Sequence, residues 1–295
     1  VSGFRTVGDF ANADLLGQCW LTQFRKVVAS AATIAGQWID YSYYAGSPAA
    51  NFYASSPLVA AEVDPSRGIY VPSVTPMTQH LKSLNVMIPS STGNAASARQ
   101  RLMLADYLLY YPFIDTDAIG LDQALDNTVV IPRYPYGRVI AVAQSAAGAV
   151  GDFTFTYTNQ TGVSGRVSPV QRTVWVNGGG HCLSTVTTGG AYFPFLPLAT
   201  GDYGVKSIES VNFSASGGGL MALVIVKPLF HAYATQECRT TSGVAFGAAD
   251  EFVSVINSAG APRILDGAVL NFFSQGTAGS LANNLLIGTL ETVWN

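Results

Sequence analysis

Ionic side chains are scarce in this chain. Lys, Arg, Asp and Glu make up 11% of its 295 residues, less than half of the ~25% usual for soluble domains. The 15 basic residues are scattered, with no run longer than Arg25-Lys26, and the net charge is −3. That excludes a basic stripe for nucleic acid and a polybasic membrane patch. Cysteine is nearly absent as well. Cys19, Cys182 and Cys238 are odd in number and far apart, so they form neither a disulfide framework nor a CxxC pair and are expected as free, mostly buried thiols from a reducing compartment. Long apolar runs are missing. No stretch reaches the roughly 18 apolar residues of a spanning helix, because Gly, Pro or polar residues interrupt each one. The first ten residues, VSGFRTVGDF, lack the apolar core of a signal peptide.

What is present is apolar bulk: 48% hydrophobic residues with 30 Gly. A chain so rich in apolar residues and poor in charge is expected to have much of its surface covered by neighbours, since obligate interfaces resemble a core cut in half. Residues 220–227, LMALVIVK, form an unalternating apolar run between Gly217-Gly218-Gly219 and Pro228. Its length and its β-branched Val224, Ile225 and Val226 predict a strand buried on both faces, central to a β-sandwich.

Residues 1–13 read as a flexible or docking arm with Phe4 and Phe10 as anchors. Asp14 then reads as a helix N-cap before Leu16, Trp20, Phe24 and Val27; the other reading is a strand over 20–28. QWIDYSYY at 37–44 reads as a strand. Thr75 and Pro76 read as a helix start, with Met77, Leu81 and Leu84 on one face. Residues 101–111 read as a strand, 121–125 as a helical turn and 129–131 as a short strand. From Arg138 onward the pattern is β throughout, most cleanly in DFTFTYT at 152–158, where Phe153, Phe155 and Tyr157 alternate with polar residues. Further strands are expected over 173–176, 182–187, 192–198, 205–213, 263–273 and 285–294. The fold class expected is mainly β, an antiparallel, jelly-roll-like β-sandwich with a mixed N-terminal part carrying short helices. The arm at 1–13, the mixed part at 14–137 and the sandwich at 138–295 meet at soft boundaries.

Chemistry-bearing residues form no recognised catalytic signature. Asp115, Asp117, Asp122 and Asp126 lack the Gly and terminal Glu of an EF-hand loop and read as loop and capping aspartates. His181, Cys182, His231 and Cys238 match no zinc spacing and read as buried structural residues, and His80 as a polar face residue. Gly162-Val163-Ser164-Gly165 is one residue short of a nucleophile elbow. Asn177-Gly178-Gly179-Gly180 lacks the Lys-Ser/Thr of a phosphate loop and reads as a turn. No metal or cofactor is expected. The cluster Trp38, Tyr41, Tyr43, Tyr44, Phe52 and Tyr53 suits either an interface patch or a sugar-stacking platform, and the low charge favours the interface.

Several phrases then sit together: DYLLYYPFID at 106–115, DNTVVIPRY at 126–134, FTYTNQTGVSGR at 155–166, FPFLPLATGDYGVKSIESV at 193–211, LVIVKPL at 223–229 and PRILDGAVLNFF at 262–273. With them the chain resembles a family of tailed-bacteriophage virion structural proteins over most of its length after about residue 15. The resemblance implies a non-enzymatic particle component in the virion, assembled in the host cytoplasm, with the major capsid protein or other virion proteins as partners. No long spine-helix pattern is present, which favours a decoration (cement) protein over a major shell subunit. A homo-oligomer is expected, guessed as a trimer, without nucleic acid or membrane. The alternatives are a carbohydrate-binding module of a tail or fibre and a major capsid subunit.

Overall fold

The strand Leu220–Ala234 lies between Gln100–Asp115 and Arg138–Ala143, antiparallel to both. Residues 221–226 are all buried, so the run without alternation is the central plank that two-sided burial requires. The computed structural model describes residues 4, 6–28, 36–90, 100–174, 176, 178–183, 194–234, 236–239, 245–249, 262–276 and 285–295. Strands make up 52% and helical residues 6%, which makes the protein mainly β, with antiparallel sheets arranged as a β-sandwich.

Three sheets form it. The central one runs Trp38–Asp40, Val269–Gly276, Gln100–Asp115, Leu220–Ala234, Arg138–Ala143. A second runs Gln236–Arg239, Ala245–Ala249, Gln79–Ser90, Leu285–Trp294, Cys19–Val27, Gly46–Ser47. A smaller one runs Arg166–Val167, Asp152–Asn159, Val205–Phe213, Asp122–Ala124. The central and second sheets each take strands from both sides of residue 137, so the two segments share one framework.

The pairing of Gln100–Asp115 with Leu220–Ala234 is interrupted by three register shifts. At one of them Ile225 faces Leu109 while Val226 faces Tyr107, leaving Leu108 as an extra residue. Such bulges bend a strand and re-phase its faces. Leu102 and Leu104 therefore share a face with Leu109 and Tyr111. The first pair packs with Phe24, Leu84 and Leu290 of the second sheet. The other pair packs with Phe153, Phe155 and Phe213 of the small sheet. Met103, Ala105, Tyr107, Val224 and Val226 enter a third core with Trp38 and Tyr53. Pro228 does not end the strand as expected. It sits beside a register shift and beyond the reach of Arg138–Ala143, where a missing N–H is tolerated.

The strand at Asp152–Asn159 follows its alternation, whereas Val205–Phe213 and Leu285–Trp294 are strands as expected but with register shifts that break a strict period of two. Other expectations need correcting. Residues 7–15 are a helix, Val7–Leu15, and Asp14 lies in its last turn instead of capping it. Thr6 and Asp9 form the capping box, with the Asp9 N–H donating to Thr6 Oγ1 (3.1 Å) and the Thr6 N–H to Asp9 Oδ2 (3.0 Å). Gly17, at φ +70°, closes the helix: its N–H donates to Asp14 O, and the Gln18 N–H to Ala13 O, the Schellman pattern. Cys19–Val27 is then the strand of the other reading. Residues 37–44 divide into the strand Trp38–Asp40 and a 3-10 turn, Tyr41–Tyr43. Met77 lies in a turn, and Leu81 and Leu84 belong to the strand Gln79–Ser90. Glu291 pairs with Ser83 and Thr292 with Leu81, leaving Lys82 as an extra residue; this bulge gives two inward leucines a helix-like spacing of three.

Residues 122–124 are a strand on Val205–Phe213, and 129–131 belong to no strand, with Val130 71% exposed. Gln171–Arg172 pairs with Asp152–Asn159 in place of 173–176. Gly267, at φ +75°, splits 263–273 into Arg263–Ile264 and Val269–Gly276. Residues 194–198 are outside any strand. Residues 184–187, 191–193 and the Cys238 side chain lie outside the described set.

Candidate functional site

The aromatic cluster is organised around one acid. Asp40 ends the strand Trp38–Asp40 and caps the 3-10 turn Tyr41–Tyr43. Its side chain is fully buried. It accepts from the Ser42 N–H (2.9 Å), Ser42 Oγ (2.7 Å), Tyr107 Oη (2.8 Å) and Tyr53 Oη. Burial pushes the Asp40 carboxyl upward, and these donors, Tyr53 first, pull it back only partly. Tyr53 and Tyr107 are driven well above the usual phenol range by burial and by Asp40.

Lys26 lies nearby but does not pair with Asp40. Its Nζ donates to three backbone carbonyls, Ser42 (3.5 Å), Tyr44 (3.3 Å) and Ala49 (3.1 Å). Burial brings its pKa down to about 8 against an opposing pull from Asp40. The centre is thus a clasp joining residues 26, 40–53 and 107. With Asp40, Tyr53 and Tyr107 all 0% exposed, no substrate meets them.

This burial corrects the contact surface read from the sequence. Trp38, Tyr41, Tyr44 and Tyr53 are interior. Tyr43 is half-buried and Phe52 is 54% exposed, their rings edge to face at 5.1 Å. An interior ring offers no stacking face, so only these two remain. Phe4 and Phe10 are half-buried, and Phe4 packs on Phe10 (5.3 Å) and on His80 (5.8 Å). Phe4 thereby links Phe10 of the helix to His80 of the second sheet. The sequence reading missed the apolar exposure just after them: Leu15 is 85%, Leu16 74%, Leu21 56% and Trp20 37% exposed. Its signal was a pair of leucines beside the Gly17 stop.

The remaining candidates resolve separately. Asp115, Asp117, Asp122 and Asp126 accept from different partners, in turn the N–H groups of Asp117 and Gly218, the Asn212 side chain and the Thr128 N–H. Among the described residues, Asp14, Cys19 and Glu291 bring three potential metal ligands within 4.8 Å of one another. Lys82 Nζ lies 2.7 Å from both carboxylates, so an ammonium already supplies the cation there. Cys19 is raised by burial and by Asp14, which keeps the thiol protonated. His181 and Cys182 are buried as read; burial lowers His181 to about 4 and, with Asp40, raises Cys182 well above the thiol range. His231 is exposed, contrary to its reading. Gly179 and Gly180 pack on Tyr43 and Tyr44, where an added Cβ would lie 2.4 and 2.9 Å from the rings, so this turn is a packing surface.

A second buried acid, Asp106, is held by Arg133 Nε and Nη2 at 2.8 Å each and by the Val269 N–H at 3.0 Å. Beside Arg133 opens a cleft of about 490 Å³ between residues 75–79, 132–134 and 263–266. Compared with family models, curated proteins and solved structures, the chain matches none.

Proposed function

We propose that this chain is a non-enzymatic structural protein of a viral particle, a decoration protein that binds between shell subunits and stabilises the head. The observation that carries this reading is the exposed apolar stretch Leu15, Leu16, Trp20 and Leu21 in a chain with only 11% charged residues. Large exposed apolar groups mark contact surfaces, here at the helix end and on both faces of the strand that follows it, and a low ionic content lowers the cost of their desolvation. The resemblance to phage virion proteins supplies the setting. In this reading the jelly-roll-like sandwich is the rigid body, the N-terminal helix brings the contact surface, and the working form is a symmetric oligomer, a trimer in the simplest case, on the major capsid protein. The carbohydrate-binding alternative is left with Phe52 and Tyr43 as its stacking rings.

Co-sedimentation with empty shells tests the reading. The native chain is expected to pellet with shells and not with host-surface polysaccharide. Leu16→Glu is expected to abolish pelleting while changing stability by no more than ~0.5 kcal/mol, since the side chain lies outside the core. A chain that stays monomeric and never joins a shell overturns the proposal, and glycan retention lost on Phe52→Ala replaces it with the carbohydrate reading.

A further inference from the structure

The cleft beside Arg133 has three walls from distant parts of the chain: residues 75–79, 132–134 and 263–266. Its volume, about 490 Å³, lies in the usual range for small-molecule sites. Its charged groups are unequally engaged. Asp266 is occupied, accepting from the hydroxyls of Ser73 and Thr75 and the Val74 N–H. Arg133 gives Nε and Nη2 to Asp106 and keeps Nη1. The backbone of Arg263 pairs with His80, while its exposed side chain has no hydrogen-bond or ion-pair partner among the described residues, and its charge acts on the Tyr134 hydroxyl.

Two lining residues hold unused polar atoms. Gln79 is 1% exposed; its Nε2 donates to Thr292 Oγ1 at 2.6 Å while its Oε1 has no partner. The Tyr134 hydroxyl also lacks a partner, the Leu265 amide being close enough to influence it but outside hydrogen-bond geometry. Tyr134 itself adopts φ +61°, a left-handed conformation unusual for a bulky residue and concentrated at binding sites. Native chains leave few buried polar atoms unpaired, so one in each of two adjoining cleft walls points to a ligand that uses them.

We propose that this cleft binds a small carboxylate-bearing polyol, of the size and chemistry of a sugar acid. The carboxylate meets Arg263, with Arg133 Nη1 behind it; Gln79 Oε1 and the Tyr134 hydroxyl are sealed from water without ligand, and binding turns them toward the ligand hydroxyls. The Asp266 carboxylate, in the same wall as Arg263, disfavours a dianion, and its three donors leave it little capacity for a ligand ammonium. This binding is independent of shell attachment and uses none of the apolar contact residues.

Titration calorimetry of the full chain with glucuronate tests it, beside glucose, acetate, glycine and inorganic phosphate. Saturable glucuronate binding is expected, with each of the others weaker by roughly tenfold or more. Arg263→Gln should weaken glucuronate by a similar factor without moving the melting temperature, because Arg263 holds nothing in place. In the native chain, amide NMR shifts on titration should centre on Gln79, Tyr134 and Leu265. Absent glucuronate binding, equal binding of any of the other probes, an unchanged affinity in Arg263→Gln, or shifts centred elsewhere would each overturn the assignment.

Discussion

Asp40 and Asp106 lie in the same sheet, separated by the strand Val269–Gly276, and both are 0% exposed. Asp106 is matched by a forked Arg133 pair. Asp40 is matched by a serine, two tyrosines and a backbone N–H, while the nearest ammonium, Lys26, rests on carbonyls instead. A guanidinium cancels charge and fixes orientation at once. Neutral donors divide the same task among several residues, so the Asp40 clasp ties together more of the chain but leaves its charge uncancelled. Burial accordingly raises both acids against the pull of their partners.

The largest effect should come from Arg133→Ala, which strands the Asp106 carboxylate in the core. Urea unfolding should show a loss of about 3–5 kcal/mol. A loss below ~1 kcal/mol would mean that Asp106 is already neutral and that the two acids do not differ. Tyr53→Phe removes one of four donors from Asp40 and should lose about 1.5–3 kcal/mol, the usual range for a hydrogen bond to a charged group. Tyr107→Phe should fall in the same range if the clasp shares its load.

The smallest effect is in the pH dependence. The folded-state pKa of Asp40 lies above its ordinary 3.8. As pH falls through that raised value toward 3.8, the fold takes up a proton that the unfolded chain does not, so stability rises. Wild type should therefore gain on Asp40→Asn as pH falls from 7 to 4 in paired urea midpoints; a constant difference would show that Asp40 is not raised. Lys26 acts at the other end. Its folded pKa of about 8 lies below 10.5, so stability should rise as pH climbs between those values, and Lys26→Met should flatten that slope.

Asp152–Asn159 was the clearest strand in the sequence because every second residue enters a core and the alternation survives. Val205–Phe213 and Leu285–Trp294 kept only part of that period, since register shifts displace their buried positions. Gln79–Ser90 was misread because the bulge at Lys82 interrupts its period, and the bulge exists only because Leu285–Trp294 pairs there. The N-terminal helix was legible in principle from Thr6, Asp9 and Gly17, but its eventual cap was read as part of an arm. The aromatic cluster was correctly picked out as a group, yet its burial was not readable: Tyr53 enters the core because Asp40 receives its hydroxyl and Tyr110 packs on its ring at 5.2 Å.

Composition and local period determined that this would be a charge-poor antiparallel β protein with a doubly buried central strand, because side-chain alternation and apolar content are properties of the chain itself. Which acid met an arginine, which tyrosines went inside and where a polar cleft opened were decided by the tertiary structure. Asp106 with Arg133 is 27 residues apart in sequence, Tyr107 with Asp40 is 67, and Asp266 with Thr75 is 191. Distances of that kind are set by sheet pairing and bulges, which no local pattern encodes.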